Sequence, residues 1–103
     1  MKRETVLVAS RDQVSAALGG ETAILHLKNG VYYSLDPVGA RVWALLQEPR
    51  KLQDVLRILM EEYDVEAGQC ERDVIELLDR LHGAGLIQIQ ETLPQSTEFL
   101  RGH

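Results

Sequence analysis

The sequence predicts an α+β fold resembling a winged helix-turn-helix: a three-stranded antiparallel meander, then three helices, then a short C-terminal strand. Apolar residues alternate with polar ones across much of residues 13–35, and their spacing becomes helical from residue 37 to about residue 82. The 103 residues suffice for one domain with one modest core. We assign residues 13–90 to this domain, 1–12 to an N-terminal segment with a possible strand at Thr5–Val8, and 91–103 to a flexible tail.

The meander is predicted from two turn signals. Gly19-Gly20 ends a weakly alternating first strand, and Asn29-Gly30 separates a second strand, Thr22–Lys28, from a third, Val31–Leu35. Asn-Gly is typical of a two-residue type I′ turn, which would place Lys28 opposite Val31. Sequential hairpins leave the third strand at an edge of the sheet.

Side chains of these strands divide between two faces because successive residues point in opposite directions. The expected first face holds Leu25, Leu27 and Tyr32. The expected second face holds Ile24, Val31, Tyr33 and Leu35.

Helix signals follow the third strand at once. Asp36 can cap the first helix and Pro37 suits its first turn, while Pro49 marks its end. The second helix is expected from Leu52 to about Tyr63 without a good N-cap. The third is expected over 69–82, followed by glycines and a closing strand over 86–90.

Composition narrows the function classes. A formal charge of −5 argues against a sequence-independent grip on nucleic acid. Cys70 is the single cysteine, flanked by Glu71 and Asp73, and is expected to be a core residue rather than a nucleophile. The three histidines lack metal-ligand spacing, so we expect no metal and no cofactor. No apolar run suggests a signal peptide or a membrane span, which favours the cytoplasm.

Two binding functions fit the predicted fold. A winged-helix DNA-binding regulator would use the second and third helices, but acidic residues over 61–66 and along the third helix would repel phosphates. A peptide-binding module would add an extended peptide to the exposed third strand, beside the third helix. The adjacent Tyr32 and Tyr33 favour the peptide.

Several runs carry a family resemblance. They are G-V-Y-Y-S-L-D-P-V-G-A-R-V-W-A-L-L from Gly30 to Leu46, Tyr63-Asp64-Val65, Asp73-Val74, and L-H-G-A-G-L-I over 81–87. The chain resembles the PqqD-like family over about residues 14–90. The resemblance implies a non-catalytic recognition element for ribosomally made, post-translationally modified peptides. It also implies that the leader of the precursor peptide binds as an added strand between the third strand and the third helix.

Within that family, the run over 38–43 is most similar to stand-alone elements of lasso peptide biosynthesis. This similarity implies a cysteine leader protease and an ATP-dependent cyclase as partners, with neither nucleic acid nor membrane. The alternative within the family is a chaperone of pyrroloquinoline quinone (PQQ) synthesis that presents its precursor to a radical SAM enzyme. That member usually has a Pro-Glu-Gly-type turn where this chain has Lys28-Asn29-Gly30.

The predicted peptide-binding residues come from the edge strand and the third helix. They are Val31, Tyr32, Tyr33, Ser34, Leu35, Asp73, Val74, Leu77, Arg80 and Leu81.

Overall fold

The computed structural model describes residues 1–90 and confirms the predicted α+β fold. Its elements are β1 (Val6–Ala9), β2 (Gln13–Leu18), β3 (Glu21–His26), β4 (Tyr32–Leu35), α1 (Pro37–Leu45), β5 (Arg50–Lys51), α2 (Leu52–Glu62), α3 (Ala67–Gly83) and β6 (Ile87–Gln90). The strands form two antiparallel sheets, ordered β2-β3-β4 and β5-β1-β6. The expected tail over 91–103 lies outside the described residues.

The tight turn of the meander is Gly19-Gly20. Both glycines have positive φ, 61° and 91°, and Leu18 pairs with Glu21 across them. Positive φ at both central residues is the requirement of a type I′ turn, which glycine meets without steric cost.

The connection from β3 to β4 differs from the prediction. Only Gly30 has positive φ there, so Asn29 cannot complete a type I′ turn. The loop spans residues 27–31 instead: the N–H of Gly30 donates to the carbonyl of His26, and the N–H of Val31 donates to Oδ1 of Asn29. The predicted pairing of Lys28 with Val31 is therefore wrong, and Val31 precedes the strand rather than starting it.

The true register places His26 opposite Val31 and Leu25 opposite Tyr32. It differs from the predicted one by two residues, and a shift of two leaves every side chain on its face. The predicted division between two faces therefore stands, and the structure adds that the face of Ile24 points inward and that of Tyr32 outward.

The second sheet joins the two ends of the described chain. β1 lies in its centre, and Leu7 is fully buried in the common core. The carbonyl of Thr5 accepts from the N–H of Leu52, and that of Arg3 from Gln53. These bonds satisfy the first N–H groups of α2. The helix has no side-chain cap, as the sequence predicted.

Carboxylates cap the other two helices. Oδ1 of Asp36 accepts from the N–H of Gly39 at 2.8 Å, confirming the predicted cap of α1. Glu66 accepts from the N–H groups of Gly68 and Gln69, so α3 begins two residues earlier than predicted. Within residues 1–90, no helix combines the length and apolar character that spanning a membrane requires.

Candidate functional site

The edge strand β4 has free main-chain groups. Among residues 1–90, β3 is the only strand that pairs with it. The N–H of His26 donates to the carbonyl of Val31 at 3.0 Å, which fixes the alternation of the ladder. Tyr33 and Leu35 therefore direct their N–H and C=O groups towards β3. Those of Tyr32 and Ser34 point out of the edge, where an extended chain could pair with them.

A groove of about 570 Å³ begins where β4 ends. Its walls come from the end of β4, the first turns of α1, the end of α2 and one side of α3. The residues that line it are Ser34, Leu35, Asp36, Val38, Gly39, Val42, Leu59, Tyr63, Val65, Gln69, Cys70, Asp73, Val74, Glu76, Leu77 and Arg80.

The floor of the groove is apolar and belongs to the core. Val42, Leu59 and Val74 are buried there. Leu77 is only half-buried, and Val38 is 44% exposed although both line the groove. An apolar surface that residues 1–90 do not cover is typical of a binding site for an apolar side chain of a partner.

The rim of the groove is charged. Asp36, Asp73, Glu76 and Arg80 are all exposed and line it. Oδ1 of Asp73 accepts from Nε2 of Gln69 at 2.9 Å, which leaves its second oxygen available.

Cys70 lines the groove, but its thiol is poorly suited to act as a nucleophile. Burial raises the pKa of its thiol, and the carboxylates of Asp73 and Glu71 raise that pKa further. The thiol therefore stays protonated at neutral pH, which disfavours nucleophilic chemistry. Residues 1–90 contain no group of three His, Cys, Asp or Glu side chains that could hold a metal ion.

An ion pair supports the wall of the groove that the end of α2 forms. The guanidinium of Arg41 on α1 donates two hydrogen bonds to the carboxylate of Glu62, at 2.8 and 2.6 Å. These hydrogen bonds raise the pKa of Arg41 and lower the pKa of Glu62. Glu62 ends α2 immediately before Tyr63, so this fork holds α1 against the segment that closes the groove.

Six of the ten predicted site residues line the groove: Ser34, Leu35, Asp73, Val74, Leu77 and Arg80. Four do not. Val31 lies in the loop, Tyr32 is 70% exposed on the outer face, Tyr33 packs on the core, and Leu81 is buried. Tyr32 still borders the site through its main chain.

Most of the other lining residues come from α1, the end of α2 and the segments beside these helices, which the sequence did not assign to the site. Asp36, Val38 and Gly39 follow β4 directly, and the resemblance runs included them and Tyr63-Asp64-Val65. Glu76 shares a flank of α3 with Asp73 and Arg80 on a helical wheel. That flank, rather than the one with Ile75 and His82, faces the groove.

The model of the family described as "Coenzyme PQQ synthesis protein D (PqqD)" matches residues 21–87. The chain belongs to the PqqD family. The matched part includes β3, β4, all three helices and the first residue of β6, and thus every residue of the groove. No curated protein matches the chain significantly.

Two solved structures resemble this PqqD-family chain. One is TbiB1 in complex with the TbiA(beta) leader peptide, with 34% sequence identity and a TM-score of 0.74, covering 79% of this chain and 94% of that chain. The other is a lasso peptide synthetase B1 complexed with the leader peptide, with 24% identity and a TM-score of 0.71, covering 80% of this chain and 96% of that chain. The second likeness concerns the fold alone.

Proposed function

We propose that the protein is a non-catalytic adaptor that binds the leader of a ribosomally synthesised precursor peptide in a lasso peptide pathway. The leader adds as a strand to the edge formed by Val31–Leu35 and lies against α3. The observation that carries the proposal is the edge of β4 beside an apolar groove, both left open by the described residues 1–90. Membership of the PqqD family and the likeness to TbiB1 with its leader peptide support it.

The proposed contacts divide between main chain and side chains. Tyr32 and Ser34 supply the outward N–H and C=O groups of the ladder. Each hydrogen bond contributes about 1 kcal/mol net, so most of the affinity must come from buried anchors. Leu35, Val74 and Leu77 contact such an anchor, and Asp73 and Arg80 contact polar or charged leader groups. Tyr33 and Leu81 support the groove from the core.

The adaptor role implies further partners. We propose that the bound leader is delivered to a cysteine leader protease and an ATP-dependent cyclase in the cytoplasm, where the ribosome releases the precursor. The protein itself contributes no reacting group: its one thiol is held protonated at the groove.

The two alternatives are not favoured. A winged-helix regulator would present a basic recognition helix, whereas the exposed flank of α3 at the groove carries Asp73 and Glu76. A role in presenting the PQQ precursor to a radical SAM enzyme has the family description on its side, but the likeness at 34% identity is to TbiB1 with its leader peptide.

The test is direct binding. The precursor is first sought among the short open reading frames beside this gene. Its fluorescein-labelled leader and the TbiA(beta) leader are then titrated with the protein and followed by fluorescence polarisation. We expect saturable binding of the neighbouring leader at micromolar or lower concentration, with none for a scrambled peptide of the same composition. Equal binding of the scrambled peptide, or micromolar binding of random duplex DNA at physiological salt, would contradict the proposal.

A further inference from the structure

The charges at the groove are unbalanced and unpaired. Three carboxylates line it, those of Asp36, Asp73 and Glu76, against the single guanidinium of Arg80. Within residues 1–90 none of these four groups takes part in a salt bridge. Asp36 is engaged as the helix cap, which leaves Glu76 and the second oxygen of Asp73 on α3 as the anionic groups of the rim that a partner can reach.

The ladder geometry decides which leader side chains meet this rim. Residues opposite each other on neighbouring strands share a face of the sheet. Leader residues opposite Tyr33 and Leu35 therefore point inward, as those two side chains do. Leu35 itself lines the groove, so the leader side chain at this end enters the space between β4 and α3.

An apolar floor below an acidic rim fits one kind of side chain closely. Lysine and arginine lay their aliphatic stems on apolar surface and keep the charged head in water. Here the stem would contact Val38 and Leu77, and the head would reach the carboxylates of Asp73 and Glu76. An acidic side chain at the same place would meet like charges.

The electrostatic surroundings of Cys70 agree with this arrangement. The thiol lines the groove, and the Asp73 and Glu71 carboxylates raise its pKa beyond the effect of burial. Among the residues that line the groove, the carboxylate of Asp73 therefore acts on the thiol at its buried part. Arg80, about one turn beyond Glu76, limits the anionic stretch of the groove-facing side of α3 to the residues before it.

We infer that the groove selects leader peptides that carry a lysine or arginine beside their apolar anchor, through Asp73 and Glu76. This inference rests on the proposed leader-binding function and adds to it the chemistry of the leader that is selected.

The experiment uses peptides of unbiased sequence. A display library of random 12-residue peptides is selected on the immobilised full-length protein, on the double variant Asp73→Asn/Glu76→Gln, and on the control Asp79→Asn/Glu21→Gln. The control removes the same formal charge from exposed positions that do not line the groove. Circular dichroism spectra of the three proteins verify that they are folded.

We expect the protein and the control to enrich peptides with an apolar residue and a nearby lysine or arginine, and the double variant to retain only the apolar preference. In a selected peptide, replacing the basic residue by methionine should weaken binding about twofold to fivefold, as for an exposed ion pair. The double variant should show no such loss.

Enrichment of apolar peptides without a basic residue, or the same basic preference on the double variant, would overturn the inference and leave leader binding standing. Failure to enrich any peptide over the unselected library would count against the proposed function, and the inference would fall with it.

Discussion

The two walls of the groove offer a partner different things. On the β4 wall the available groups are the N–H and C=O groups of Tyr32 and Ser34, which are the same for every sequence. On the α3 wall they are side chains: Val74 and Leu77 along the floor and Asp73 at the rim. Hydrogen bonds to main chain fix register and extension, whereas side chains distinguish one peptide from another.

This division between main chain and side chains explains how one fold could bind many different leaders. Substitutions on α3 change what is selected without disturbing the ladder, because β4 is held in place by β3 and by α1. A change that damages the ladder should weaken all peptides alike. A change on α3 should weaken some peptides and favour others.

The largest expected effect is on the α3 wall. Leu77→Asp places a carboxylate on the apolar floor, and leaving that charge under a bound anchor costs about 3 kcal/mol, or roughly a 100-fold loss of leader affinity. Fluorescence polarisation with the labelled neighbouring leader measures this loss. Because Leu77 is only half-buried, the circular dichroism spectrum should remain that of a folded protein.

The matched control is Ile75→Asp. Ile75 is also half-buried against the core on α3 but does not line the groove. We expect it to lower the free energy of unfolding comparably and to leave leader affinity within about twofold. Equal loss of affinity in both variants would remove the distinction between the two flanks of α3.

The next largest effect concerns the main-chain hydrogen bonds to the β4 wall. Methylating one leader amide removes one hydrogen bond, which corresponds to about fivefold in affinity. A scan of single N-methylations along the leader should therefore show losses at every second residue. If the leader runs antiparallel to β4, the residues that lose affinity point outward, and alanine scanning finds the anchors at the residues between them.

If the leader instead runs parallel to β4, its hydrogen-bonded residues are those that point into the groove. N-methylation and alanine substitution would then weaken binding at the same leader residues. Losses without a two-residue period would contradict strand addition altogether.

The smallest effect concerns the stability of the α3 wall in acid. Hydrogen bonds from the N–H groups of Gly68 and Gln69 lower the pKa of Glu66 in the folded protein. A carboxyl whose folded pKa lies below its unfolded value stabilises the fold above the ordinary glutamate pKa, and this contribution disappears as the pH falls through the folded pKa. Urea midpoints at pH 7 and pH 3 should therefore differ less for Glu66→Gln than for the unchanged protein.

Glu21→Gln, an exposed change on β3, serves as the comparison and should retain the full acid sensitivity. If Glu66→Gln retained it as well, the cap would not contribute to the stability of the wall.

Much of the fold was predictable because its signals are local. Asp36 followed by Pro37 indicates a capped helix start, and paired glycines at 19 and 20 are enough to turn the chain. The loop over 27–31 was not predictable, because Asn29-Gly30 fits a tight turn, whereas here Oδ1 of Asn29 accepts a hydrogen bond from the N–H of Val31 in a longer loop. The grouping of the side chains into two faces was still correct, since it depends only on the parity of the register.

Part of the groove was predictable, again because local signals determine that part. Helical spacing places Asp73, Leu77 and Arg80 on one side of α3, but which side faces β4 depends on packing between distant segments. Tyr63 and Val65 reach the groove only because α2 ends beside it. No periodicity in their own neighbourhood indicates this.

The pairing of β1 with β6 has a consequence for how the chain is made. Val6 pairs with Gln90, so nearly the whole described chain lies between the two partners. Strand β1 leaves the ribosome first, yet Leu7 cannot be buried between its neighbours until the last strand has emerged. Contacts of such long sequence separation form late and slow the folding of a domain. The domain is therefore expected to complete its core only after synthesis has passed β6, and shortening the chain before Ile87 would leave the first strand with the two-residue β5 as its only neighbour among the described strands.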